Sequence, residues 1–166
     1  MKVSFCIKAE TGDEYLVSLL SGDDAFFATN DVAFSLGDEI EIVEIDLARV
    51  SGSNPTTAHT LSLISEGIAR YFSMNEKAVL YYYCEDMADV PKSSRKEDMW
   101  PQEYRSHLFS LMFQRYLLNH GIQDIIDVTI VIEQGTRPLF MHLISRKEHS
   151  HYIERIKTYI IDNYGK

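Results

Sequence analysis

Ala78-Val79-Leu80-Tyr81-Tyr82-Tyr83-Cys84 is the stretch on which the fold turns. Its residues are apolar or aromatic throughout, which fits a central strand covered on both faces. It is the longest unbroken apolar run in the chain, far short of the ~20 residues that span a bilayer. Strand alternation must send at least one of its three tyrosine rings to each face. Upstream, Leu61, Ile64, Ile68, Tyr71 and Phe72 recur at helical spacing and predict a helix ending near Met74-Asn75. Ser53 or Asn54 is expected to cap it, with Pro55 at its first position. Downstream, the polar stretch from Glu85 to Trp100 is long for a loop in a compact domain. A second helix is predicted from Pro101, with Glu103 in its first turn and Gly121 as its stop. Tyr104, Leu108, Leu111 and Met112, continuing to Leu118, are its expected buried side, widened by Phe109 and Phe113. Pairing of 78–84 with 126–133 across this helix would be parallel.

Outward from this centre, the first fifty residues read as strands. Val3, Phe5 and Ile7 alternate with polar residues, and after the Thr11-Gly12-Asp13 turn so do Tyr15, Val17 and Leu19. Ala25 to Phe34 is a third expected strand and Glu39 to Leu47 a fourth. In the fourth, Ile40 and Ile42 share one face while Val43 and Ile45 take the other, the mark of a bulge or of a strand covered on both sides. At the C-terminal end, Ile126 to Glu133 and Leu139 to Ser145 form a predicted hairpin through Gln134-Gly135-Thr136-Arg137. A last helix opens at His149 or Ser150, with Tyr152, Ile153, Ile156, Tyr159 and Ile160 on its apolar side. The expected fold is α+β: an N-terminal antiparallel β-meander followed by α-β-α-β-β-α, one mixed sheet with helices packed on it. Residues 1–166 read as a single domain.

The 166 residues carry 16 Lys+Arg against 25 Asp+Glu, a net charge of −9. The asymmetry is local: residues 1–90 hold 16 acids and 5 bases, residues 91–166 hold 9 acids and 11 bases. An acidic first half repels phosphate backbones, so nucleic acid is not an expected partner. Cys6 and Cys84 cannot build a disulfide framework, and a reduced, cytoplasmic setting is expected. No signal peptide and no membrane partner are expected from the N-terminus or the hydropathy pattern.

Phosphate loops, GxGxxG, HExxH, GxSxG and Cys-x-x-Cys are absent, and no metal or cofactor is expected. Three groups remain as candidates. Cys84 with Glu85, Asp86 and Asp89 stands at the carboxyl end of the central strand, where α/β sheets place ligands. A helix N-terminus nearby would favour the thiolate. His142, His149 and His151 form a histidine group without a clearly placed carboxylate, a weak metal pattern. Arg105 and His107 on the second helix, with Arg146 and Lys147 after a strand, would suit a small anion if the arginines converged.

These residues also carry a resemblance. Tyr81-Tyr82-Tyr83-Cys84-Glu85-Asp86, then Arg105-Ser106-His107-Leu108-Phe109 with Phe113, then Arg146-Lys147 resemble an uncharacterised family of small bacterial α+β proteins, a domain of unknown function. The family pattern is an aromatic strand ending in a Cys-acid step, a helix reading Arg-x-Arg-Leu-Phe-x-x-Trp-Phe, and a strand pair ending in Arg-Lys. The likeness covers roughly residues 78–164 and, more loosely, the N-terminal strands. His107 stands where the family tends to have Arg, Met112 where it tends to have Trp, and the 86–100 stretch is longer. The resemblance implies the fold and points to Arg105 and Arg146; it implies no activity.

Two functions follow as expectations. The first is a non-catalytic binding module for a protein partner or a second copy of itself, with a small anion-binding site at Arg105, His107, Arg146 and Lys147. It rests on the missing catalytic motifs, the one-sided acidity and the abundant tyrosine. The alternative is a small enzyme for a phosphorylated or acylated substrate, with Cys84 as nucleophile, Asp86 or Glu85 assisting and Arg105 holding the anion. Nucleic-acid processing by carboxylates and a divalent cation would need a basic cleft, which the sequence does not show.

Overall fold

Tyr81 and Tyr82 are both buried, on opposite faces of one strand, and that division organises the molecule. The computed structural model describes residues 2–22, 39–84, 101–134 and 137–164. In chain order the elements are β1 (Lys2–Lys8), β2 (Glu14–Ser21), β3 (Glu41–Ser51), α1 (Ala58–Met74), β4 (Ala78–Cys84), α2 (Pro101–Asn119), β5 (Ile125–Gln134), β6 (Arg137–Arg146) and α3 (Ser150–Tyr164). A 3₁₀ turn at Lys147–His149 leads into α3. Among the described residues the strands form one mixed sheet in the order β1-β2-β3-β4-β6-β5.

β1, β2 and β3 make the antiparallel meander. β3 and β4 are parallel, joined through α1, with Glu41 opposite Ala78 and Ile45 opposite Tyr82. β6 closes antiparallel on the other side of β4, and among the described residues β5 pairs only with β6, at the edge. The parallel pairing of 78–84 with 126–133 is therefore corrected. The 125–146 hairpin docks through its second strand, and the parallel neighbour of β4 is β3. The Ala25–Phe34 strand falls outside the described residues.

Helices cover both faces. Ile64, Ile68 and Phe72 of α1 and Phe113 and Leu117 of α2 pack over Tyr15, Val17, Leu19, Val43, Ile45, Leu80, Tyr82 and Ile144. On the opposite face Tyr152, Ile153, Ile156 and Ile160 of α3 meet Ile40, Ile42, Val79, Tyr81, Ile130, Met141 and Leu143. The phase change in β3 thus comes from cover on both sides. Each such buried side chain contributes ~1.5–3 kcal/mol. Gly67 lets α1 approach β1 closely, because a Cβ there would meet the ring of Phe5.

α1 begins three residues later than the sequence predicts. β3 runs on to Ser51, and Thr57 is the cap, its hydroxyl accepting from the Thr60 amide at 3.2 Å. Asn54 is used elsewhere: its amide donates to Asp13 and its carbonyl accepts from Arg49. α2 stops at Gly121 as expected. Its φ of +65° allows Ile122 N–H to reach Leu117 O at 2.9 Å and Gly121 N–H to reach Leu118 O at 3.2 Å, a Schellman closure.

Candidate functional site on the second helix

α2 carries chemistry on one side and exposed apolar surface on the other. At 100° per residue, Ser106, Ser110, Phe113 and Leu117 lie along its inner side. Tyr104, Leu111, Arg115 and Leu118 lie along the outer one, while Leu108 turns toward α1. The inner side meets β6 and β5, where His142 and Asp127 face the helix. These two strands hold them as diagonal neighbours, since Thr129 is the register partner of His142 and Ile144 that of Asp127.

Four side chains join in a chain of hydrogen bonds that is buried at Ser106 and His142 and partly buried at Ser110. Ser106 Oγ lies 2.6 Å from His142 Nε2, and His142 Nδ1 donates to Asp127 Oδ1 at 2.9 Å. Ser110 Oγ donates to the other carboxylate oxygen, Oδ2, at 2.7 Å. The His142 and Asp127 side chains are 0% and 3% exposed. A carboxylate only accepts, so Nδ1 carries a proton; in the neutral imidazole the Nε2 lone pair then faces the serine hydroxyl. Phe109 and Tyr82 wall the imidazole, with ring centroids 5.2 Å and 6.3 Å away. Every member has a partner, which is the condition for burying such groups without a large penalty.

The outer side departs from what the sequence predicts at two positions, while Phe113 is buried as expected. Leu111 and Leu118, expected in the core, are 49% and 81% exposed. Ser106 and Ser110 lie on the inner side, where His142 and Asp127 satisfy them. Phe113 and Leu117 are the core residues of this helix.

The other candidates are placed as follows. Cys84 pairs with Phe140 through the backbone of β4. Its side chain, that of Arg105, and residues Glu85, Asp86 and Asp89 fall outside the described residues. His107 is exposed on α2. Arg146 donates to Phe72 O at 2.6 Å, Glu76 O at 2.9 Å and Asn75 O at 3.1 Å, with its guanidinium 4.3 Å from the Phe72 ring centroid. It closes the C-terminal end of α1. Lys147 and Arg146 share a 310 Å³ hollow with Glu76, Asp124 and Glu148. His142 is separated from the other two histidines: His149 lies beside Glu148 at 3.8 Å, and His151 packs on the Tyr152 ring at 4.0 Å. Among the described residues no group of three His, Cys, Asp or Glu side chains is placed to hold a metal. No described helix is long and apolar enough to cross a membrane. Asp127 and Ser110 were not singled out from sequence. No motif spacing links positions 106, 110, 127 and 142; only the hairpin register and the helix phase do.

No protein-family model and no curated protein sequence matches the chain.

Proposed function

We propose that this chain is a protein-binding module that docks through the outer side of α2. The observation that carries the reading is the pairing of Leu111 and Leu118, exposed and seven residues apart on one helix side. Single exposed leucines are ordinary, but an aligned stripe opposite a helix's core side is the form of a helix-docking surface. Arg115 interrupts the stripe, so the fitting partner presents an amphipathic helix with a carboxylate opposite it. Of the ten tyrosines, Tyr15, Tyr81, Tyr82 and Tyr152 belong to the core and add nothing to the reading.

Photo-crosslinking in the cells of origin tests it. A photoreactive amino acid replacing Leu118 is expected to give one discrete protein adduct, while the same group at exposed Glu154 on α3 gives none. Equal adducts at both positions, or none at Leu118, would overturn the docking face.

A further inference from the structure

We infer that Ser106 is a nucleophile activated by His142, with Asp127 as the positioning residue, and that it accepts an acyl group from a small ester. This goes beyond the docking reading and stands on the opposite side of α2.

Geometry carries the inference. A buried serine needs only one hydrogen bond, which a backbone carbonyl of its own helix can supply. Ser106 instead faces the basic nitrogen of an imidazole whose other nitrogen is fixed by a carboxylate, at 2.6 Å and 2.9 Å. Ser110 holds the second carboxylate oxygen, so Asp127 is locked against rotation. This is the arrangement by which a histidine takes a hydroxyl proton while a carboxylate stabilises the imidazolium formed. His142 also stands opposite Tyr82, near the carboxyl end of β4, the side of a parallel pair where α/β sheets bind ligands.

Attack forms the bond from Ser106 Oγ to the acyl carbon. The hydroxyl proton passes to His142 Nε2, the ester C–O bond breaks, and the departing oxygen takes that proton. Water then reverses the sequence and releases the carboxylic acid. The substrate must be small, because Ser106 is only 5% exposed. Phe109 and Tyr82 favour a short uncharged acyl group, and both also line a neighbouring apolar cavity of about 30 Å³ with Leu108 and Met112. The Ser106 amide lies within the hydrogen-bonded helix and is not free to bind an oxyanion. A missing oxyanion donor lowers rates ~10²–10³-fold, so slow acylation is expected.

The experiment is intact-mass and peptide analysis of the full chain after incubation with p-nitrophenyl acetate and, separately, a fluorophosphonate. One adduct per chain on Ser106 is expected. Asp127→Asn is expected to keep the fold and to slow labelling at least ~10²-fold, because the amide favours the wrong tautomer. Glu154→Gln, on the exposed side of α3, is expected to label like the parent. Failure to label Ser106, labelling only at Cys6 or a tyrosine, or an unchanged rate in Asp127→Asn would overturn the assignment.

Discussion

Asp13 shows at the scale of one residue how a turn becomes a pH-sensitive joint. It is buried, accepts from Thr11 Oγ1 at 2.9 Å and from Asn54 Nδ2 at 3.4 Å, and occupies the space a Cβ on Gly52 would need. Gly52 has φ +92°, so this corner, where the end of β3 meets the start of β2, requires glycine twice over. Burial pushes the Asp13 carboxyl up, but the hydrogen bonds from Thr11 and Asn54 and the charge of Arg49 outweigh it, leaving it below its ordinary 3.8. A carboxyl lowered in the folded state stabilises it above its unfolded value, and that contribution is lost as pH falls through the folded value. Urea midpoints measured between about pH 5 and pH 3 are expected to fall more steeply for the parent than for Asp13→Asn. An equal fall in both would remove Asp13 from the acid response. Sequence reading found Asp13 only as a turn residue, and it found His142 without Asp127 or Ser106. Hydrogen-bonded partners brought together by register leave no local periodicity to read. The Cys84 candidate came from strand-end logic and Arg105 from its pairing with Arg146 as an anion clamp, and the side chains of Cys84 and Arg105 lie outside the described residues.

At the scale of the element, α2 is where sequence and structure part. Strands β1, β2 and β4 were legible because alternation or continuous apolarity maps directly to one-sided or two-sided cover. In α2 aromatic and aliphatic residues occur on both sides, so counting apolar positions could not choose the buried one. The choice was made by Ser106 and Ser110, whose partners sit on distant strands. α1, with apolar residues confined to one side, was read correctly in its stripe and wrongly only at its cap. The contrast between the two sides of α2 is measurable. Phe113→Ala, which empties a fully buried ring position, is expected to destabilise by ~3–5 kcal/mol. Leu118→Asp is expected to stay within ~0.5 kcal/mol of the parent. Urea denaturation of the two variants checks this; a large loss for Leu118→Asp would mean that the outer stripe is structural.

For the whole molecule, the sheet divides the work. α3 seals one face with a core of its own, while α1 and α2 share the other, and α2 keeps an outer surface that no described residue covers at Leu118. The acidic half of the chain supplies the meander and α1, and the slightly basic half supplies α2, the hairpin and α3. A docking helix placed in the basic half suits an acidic partner segment, in keeping with Arg115 in the stripe. The most direct measurement is a native mass spectrum of the chain recovered gently from its own cells, run beside a Leu111→Asp, Leu118→Asp double variant of unchanged thermal stability. A discrete protein-sized increment on the parent that disappears in the variant is the expected result. A bare 19.1 kDa chain from the parent, or an increment that survives both substitutions, would contradict docking through α2.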